Sequence, residues 1–151
     1  MQHITAKATL LVSICLAFML AATPATAGAN VNKIKGTWEV AGNPEPTCGV
    51  GPFVNLVSIA RGGTLVNVDP ELGAGVGEVY RIGGKTFAAG FFGFINTGQA
   101  ILRYEVSGKL KLVNDGYMTG TFTAVLLDPA GQPFCSYDGT LEGTRLVPDL
   151  S

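Results

Sequence analysis

Few side chains in this chain could carry out acid–base or nucleophilic chemistry. The sole histidine, His3, lies in an N-terminal segment that we expect to be removed on export. Serine–histidine and cysteine–histidine catalysis are therefore excluded, and zinc would lack its usual nitrogen ligand. The catalytic hypothesis is an acid–base pair of Glu78 and Tyr104, because Glu78 alternates in phase with Tyr80 and could face an interior cavity. The opposing hypothesis places Glu78 at an exposed rim beside a glycine-rich loop.

The N-terminal segment, 1–27, has the features of a secretory signal peptide. Lys7 precedes an apolar run, 8–22, and the small residues 25–27 fit a signal-peptidase site. The apolar run is shorter than the roughly 20 residues that a helix needs to cross a bilayer. We therefore expect no membrane span, a single domain over 28–151 and a secreted or periplasmic location.

The charged residues favour neither nucleic acid nor a metal as a partner. The chain has 11 acidic and 10 basic residues, a formal net charge of −1 and no basic stripe. Asp69, Glu71 and Glu78 lack the ligand spacing of a calcium loop, so we expect no metal and no cofactor. The glycine-rich run 73–77 lacks the spacing of a nucleotide-binding fingerprint. We predict a flexible loop there, at the lip of the fold.

Cys48 and Cys135 are the two cysteines outside the N-terminal segment. Two cysteines in an exported chain most often pair, so a disulfide between them is the favoured prediction. Two free thiols are the alternative. The disulfide would tether the proline-containing segment 42–48, which could then be displayed to another protein.

The apolar pattern predicts an all-β fold. Stretches rich in Val, Thr, Phe and Tyr alternate at a period of two, and short turns such as Asp115-Gly116 separate them. Consecutive strands joined by short turns predict an eight-stranded antiparallel up-and-down β-barrel, because closure leaves no unpaired edge. The predicted strands are 34–41, 53–60, 64–68, 78–82, 86–95, 100–113, 117–127 and 134–146.

Alternation along these strands assigns side chains to the barrel interior. An eight-stranded barrel can be filled by its own side chains or can hold one small ligand. Tyrosine is suited to orienting a mostly apolar molecule, since it joins an apolar ring to a hydroxyl. The predicted ligand-binding residues are Tyr80, Phe91, Leu102, Tyr104, Phe122 and Tyr137.

Segment 86–95 is apolar on both faces. Either the strand is covered on its outer side, or an exposed apolar patch there meets another molecule. Phe91, Phe92 and Phe94 are therefore the candidate contacts for a protein partner.

Gly36-Thr37-Trp38 on the first strand and Arg145 on the last resemble a feature of the calycin superfamily, which includes lipocalins, fatty-acid-binding proteins and avidins. The resemblance implies that Gly36, Trp38 and Arg145 close one end of the barrel, with the guanidinium over the indole. The chain also resembles small exported bacterial barrel proteins that end in Gly-Thr-Arg. It departs from avidins in having a single Trp, and from lipocalins in lacking a Thr-Asp-Tyr-like turn.

Three functions stay open on this sequence. The favoured one is an exported lipocalin-like barrel that binds a small apolar molecule and is not an enzyme. The second is a cavity-based cyclase or isomerase of the allene oxide cyclase type, which would use Glu78 and Tyr104. The third is a protein-interaction barrel, resembling exported protease inhibitors.

Overall fold

The computed structural model describes residues 31–147, and these form eight antiparallel strands closed into one barrel. Each strand pairs with the next one in sequence, and the last pairs with the first, so the order is up-and-down throughout. The predicted fold class is confirmed. The predicted signal peptide, 1–27, lies outside the described residues.

A 3₁₀ helix, Val31–Lys33, precedes strands β1 (Gly36–Pro44), β2 (Phe53–Ile59), β3 (Thr64–Asp69), β4 (Gly73–Gly83), β5 (Thr86–Asn96), β6 (Ile101–Asn114), β7 (Tyr117–Leu127) and β8 (Pro133–Leu146).

The start of β4 differs from its prediction. The run 73–77 was expected to be a flexible lip loop, but it is the first half of a strand that pairs with β3 and β5. A Cβ on Gly77 would lie 2.5 Å from the Phe91 Cβ, and one on Gly75 would lie 3.0 Å from the Tyr104 hydroxyl. These glycines are therefore needed for close packing inside the barrel and do not mark a flexible segment.

Strand alternation separates the interior from the exterior as expected for a barrel. The interior positions near one end are filled by a packed core, and we call this the closed end. The turns 60–63, 84–85 and 115–116 lie there, and the loops 45–52, 70–72, 97–100 and 128–132 lie at the opposite, open end. The buried core cluster consists of Val31, Ile34, Trp38, Val40, Val57, Ile59, Leu65, Val79, Phe87, Leu110, Leu112 and Met118.

Arg145 and Trp38 seal the closed end. Trp38 is fully buried, and its Nε1 donates a hydrogen bond to the Ile34 carbonyl at 2.8 Å. The Arg145 guanidinium carbon lies 4.3 Å from the centre of the indole ring. This contact is the one that the resemblance implied.

The Arg145 guanidinium also joins two backbone segments, the stretch before β1 and the turn between β6 and β7. It donates to the carbonyls of Asp115 at 2.6 Å, Lys33 at 2.7 Å and Lys35. Gly36 has a φ of 128°, and a Cβ there would lie 2.9 Å from Arg145 Nη1. Only glycine therefore fits both the backbone conformation and the guanidinium. The structure thus brings Gly36, Trp38 and Arg145 together at the closed end.

The disulfide between Cys48 and Cys135 is present and confirms that prediction. It joins the β1–β2 loop to the start of β8, with the two Cα atoms 6.1 Å apart. Of the segment 42–48 predicted to be displayed, the first three residues belong to β1, and the loop runs over 45–52. The disulfide therefore fixes a loop at the open end.

Candidate functional site

A cavity of about 620 Å³ lies inside the barrel, between the packed core and the open end. Its deep wall is aliphatic, with Val40, Val57, Leu65 and Leu110 among the lining residues. Loop residues 49–52 and 70–72 line its mouth. The barrel is therefore hollow, and its opening lies beside the loop that the disulfide anchors.

The cavity exists because interior rings lie against glycines of the neighbouring strand. Tyr104 on β6 is directly opposite Gly93 on β5, and a Cβ at position 93 would lie 2.5 Å from the Tyr104 Cζ. Phe122 on β7 has the same relationship with Gly139 on β8, again at 2.5 Å. Phe53 on β2 also covers its cross-strand partner, a glycine of β1. Rings that lie against the wall leave the centre of the barrel open.

Two groups of aromatic side chains line the cavity. Phe122 has edge-to-face contacts with Phe53, at 5.8 Å between ring centres, and with Tyr137, at 6.2 Å. Phe91 and Tyr104 form a separate edge-to-face pair at 6.2 Å. Such geometry is favourable for aromatic pairs and fixes the ring orientations. The wall is thus an ordered aromatic surface.

A short polar chain runs along one side of this wall. Asn55 and Asn67 face inward from β2 and β3, and both side chains are buried. The hydrogen-bonding groups of the Asn55 amide all find partners when its nitrogen donates to Asp69 Oδ2 at 2.9 Å and to the Val54 carbonyl at 3.1 Å. Its oxygen then accepts from Asn67 Nδ2 at 3.2 Å. Asp69 completes the chain at the mouth of the cavity.

The Tyr104 hydroxyl, beside this chain, has no hydrogen-bond partner among the described residues. Tyr104 is only 7% exposed, and burial raises its pKa above the ordinary value near 10. The Asn67 amide, which is close but not in hydrogen-bonding geometry, acts in the opposite direction, and the negative charge of Asp69 raises the pKa again. The oxygen is sealed from solvent and lies against Gly75 and Gly93, so the hydroxyl is held within the barrel wall beside the polar chain and is not exposed to the cavity.

Burial also raises the pKa of Tyr137, and the charge of Asp69 and the neighbouring Tyr104 add to the effect. Tyr104 and Tyr137 therefore both experience the field of one carboxylate at the cavity mouth. Strands β6 and β8 place their tyrosines close enough to β3 for this electrostatic influence.

The structure brings together four of the six predicted ligand-binding residues. Phe91, Tyr104, Phe122 and Tyr137 all line the cavity. Leu102 shares the inner face of β6 but is not part of the cavity wall.

The remaining predicted contact, Tyr80, was expected to face inward, and this is wrong. It is 47% exposed on the outer side of β4, while its neighbour Val79 is buried in the core. The expected parity was off by one residue, because Tyr80 and Ile82 are apolar but exposed, and the apolar pattern therefore does not distinguish the two faces of β4.

The same shift overturns the predicted acid–base pair. Glu78 is exposed on the outer face of β4, and Tyr104 is buried on the inner face of β6. A barrel wall separates the two side chains, so they cannot act on one bound molecule. The carboxylate that faces the cavity beside Tyr104 is Asp69, together with Glu71 in the adjacent loop.

Sequence reasoning missed Asn55 and Asn67. Each stands in phase with buried apolar residues of its own strand, Val57 and Leu65 respectively. A polar residue within a series of inward-facing apolar residues was therefore the signal in the sequence. The inward-facing series was hard to recognise, because the outward residues of the same strands are apolar as well.

An apolar surface lies outside the barrel on strands β2 to β5. Val66 is directly opposite Val76, and Val76 is opposite Phe92 on the next strand, so the side chains form a continuous band. Phe91, which was predicted to contribute to a partner surface, is inside the barrel, whereas Phe92 and Phe94 are 44% and 55% exposed. We call this band the outer strip; it consists of Val54, Leu56, Val66, Val68, Val76, Phe92 and Phe94.

Comparison with models of protein families and with curated proteins gives no match to this sequence. Within residues 31–147, no helix has the length and apolar character needed to cross a membrane. The function must therefore be argued from the cavity and the surfaces of the barrel.

Proposed function

We propose that this protein binds one small, mostly apolar molecule in its cavity. The observation that carries the proposal is the hollow interior, which stays open because Tyr104, Phe122 and Phe53 lie against cross-strand glycines. Its volume, about 620 Å³, falls in the range of about 300–1,000 Å³ that is typical of sites for small molecules.

The composition of the wall supports binding of an apolar molecule. Aliphatic and aromatic side chains make up most of the lining, and only a few polar groups interrupt it. Burial of apolar ligand surface contributes roughly 25 cal/mol per Å², which favours a molecule that fills the space. Asp69, at the mouth, gives that molecule one polar contact. Binding is favoured over a cyclase or isomerase, because the predicted carboxylate, Glu78, is outside, and the Tyr104 hydroxyl beside Asp69 is sealed within the barrel wall.

The proposed location is outside the cytoplasm, either secreted or periplasmic. The disulfide between Cys48 and Cys135 is typical of oxidising compartments. The signal-peptide pattern of segment 1–27 agrees with it. We also propose a relationship to the calycin superfamily, supported by the packing of Arg145 over Trp38 at the closed end. N-terminal sequencing of the protein from its own source should find a chain that starts near Gly28.

Native mass spectrometry of protein purified from its own source tests the binding function. The expected result is a complex with one small molecule, which releases the bare polypeptide on collisional activation. Two leucine substitutions at neighbouring positions make a matched pair of variants. Ala89 lines the cavity, so Ala89→Leu should prevent binding, whereas Ala88 is on the outer face and Ala88→Leu should bind normally. Equal binding by both variants would place the ligand elsewhere.

The outer strip supports a second candidate function, which is self-association. Seven adjacent apolar side chains form a continuous patch and are not isolated surface residues, and the faces of two sheets can pack on each other. The strip itself carries no charge. On its β6 border, Arg103 and Glu105 lie opposite Phe94 and Phe92. Their ion pair, at 2.5 Å, could exchange partners across a two-fold axis. A second copy of the chain is thus the complementary partner.

A further inference from the structure

The charge inside the cavity is one-sided. The lining contains two carboxylates, Asp69 and Glu71, and no lysine or arginine among the described residues. The only ion pair found within residues 31–147 joins Arg103 and Glu105, which are on the outer face. Neither carboxylate at the mouth is therefore neutralised by a cation of the described chain. An anionic group that entered this site would be repelled, whereas a cation would compensate the charge.

Hydrogen bonds from neutral donors fix the orientation of the Asp69 carboxylate. Its Oδ1 accepts hydrogen bonds from the backbone N–H groups of Glu71 at 2.8 Å and Leu72 at 2.9 Å. Its Oδ2 accepts from Asn55 in the orientation described above, at 2.9 Å. These donors are neutral and therefore orient the carboxylate without cancelling its charge. The effect of Asp69 on the pKa of both cavity tyrosines indicates that its field reaches into the aromatic part of the cavity.

The aromatic wall has the same electrostatic preference as the carboxylate. Ring faces carry a partial negative charge and attract cations, and this attraction grows when water is excluded. Phe91, Tyr104, Phe122 and Tyr137 supply such rings around the upper cavity. A carboxylate without a cationic partner and several aromatic rings together match an ammonium group.

We propose that the ligand is a cationic amphiphile: an amine whose ammonium group lies beside Asp69 and whose apolar part fills the aliphatic depth of the cavity. The inference rests on the proposed binding function and gives it a ligand class. It also excludes free fatty acids as the ligand, although an apolar barrel interior by itself would accept them.

Three ligands with one alkyl chain test this preference. Octylamine, octan-1-ol and octanoate have the same apolar part and differ in charge, and isothermal titration calorimetry measures the affinity of each. At neutral pH we expect octylamine to bind at least about tenfold more tightly than octanoate, with octan-1-ol between them. Higher ionic strength should reduce the difference between the charged ligands, because it screens a mouth that is open to solvent.

The matched variants are Asp69→Asn and Glu78→Gln. Asparagine keeps an oxygen for the two backbone donors, so Asp69→Asn should fold, keep its affinity for octan-1-ol and lose most of the preference for the amine. Glu78→Gln removes a carboxylate from the outer face and should change none of the three affinities. Octanoate that binds as tightly as octylamine, or an unchanged preference in Asp69→Asn, would overturn the cationic ligand class alone. If octan-1-ol and both charged ligands fail to bind, the cavity-binding function itself is overturned.

Discussion

The Tyr104 ring covers Gly93, the residue directly opposite it on the neighbouring strand. The absence of a side chain at position 93 lets the phenol occupy the wall of the barrel, beside Gly75, instead of its centre. The same arrangement recurs where Phe122 covers Gly139. Cross-strand pairs of glycine with an aromatic residue therefore set how much of the interior stays empty, which is a property of residue pairs and not of single positions.

Gly93→Ala should move the Tyr104 ring into the cavity. A methyl group at this position would lie 2.5 Å from Cζ, so the ring must rotate or the strands must separate. We expect a loss of about 1–3 kcal/mol in the free energy of unfolding and weaker binding of apolar ligands. Urea denaturation and calorimetric titration with octan-1-ol measure the two effects. Gly90→Ala is the control, because a Cβ there meets nothing closer than 3.8 Å; equal behaviour of the two variants would contradict the packing argument.

The barrel itself was predictable from the sequence, and the reason is physical. Turn residues such as Asp115-Gly116 and the alternation along most of β6, β7 and β8 leave little freedom in where strands begin and which side chains face inward. The pair of Arg145 and Trp38 was predictable for a different reason. It rests on a short sequence pattern that the resemblance supplied, and the structure contains the contact.

The cavity-facing polar residues were harder to predict. In β2, Val54 and Leu56 are as apolar as Val57 and Ile59, so alternation alone does not distinguish the two faces around Asn55. In β4, glycine is a weak strand former, and the run 73–77 gave no signal of pairing. The two neighbouring strands, by pairing on both sides, override this local preference. Tyr80 was assigned to the wrong face because Tyr80 and Ile82 are apolar but exposed.

The two cavity tyrosines should make the protein less stable in alkali. Burial raises the pKa of Tyr104 and of Tyr137 in the folded state, so the unfolded chain loses these protons first, near pH 10. Their contribution is fully present below that pH and is lost as pH rises through the raised folded-state values. Urea midpoints measured from pH 8 to 12 should fall less steeply in a Tyr104→Phe, Tyr137→Phe double variant. The exposed Tyr80, changed to Phe, is the control; a double variant with the wild-type slope would argue against this origin.

Arg145→Lys should destabilise the closed end without affecting the cavity. Lysine keeps the positive charge over Trp38 but cannot donate to the three separate carbonyls that the guanidinium reaches. We expect a loss of about 2–4 kcal/mol in urea denaturation, since hydrogen bonds from charged groups contribute roughly 1.5–3 kcal/mol each. Affinity for octan-1-ol should stay the same. Arg61→Lys, on the exposed turn after β2, should leave stability unchanged. An equal loss of stability in both variants would mean that the hydrogen bonds of Arg145 contribute nothing specific to the closed end.

Removal of the disulfide should lower stability and loosen the mouth of the cavity. Cys48 and Cys135 are 87 positions apart, and in the chain-entropy model a cross-link of this span contributes about 2–5 kcal/mol. The Cys48→Ser, Cys135→Ser double variant should therefore unfold at lower urea concentration. It should also exchange ligand faster, because loop 49–52 lines the mouth of the cavity. Stopped-flow release of a bound fluorescent probe measures the exchange. Wild-type protein in reducing agent should behave like the variant. An unchanged release rate in both would show that the loop does not control ligand exchange.

Self-association through the outer strip should depend on Phe92 and Phe94. These rings form an edge-to-face pair at 6.2 Å and are exposed, so replacing both with serine removes the largest apolar area of the strip. We expect wild-type protein to form a dimer at rising concentration in sedimentation velocity, and the double variant to stay monomeric. Phe134→Ser is the control, because Phe134 is 58% exposed but lies on β8, outside the strip. If the wild-type protein is monomeric at all concentrations, the strip does not mediate self-association. If the double variant still forms a dimer, the interface lies elsewhere on the barrel.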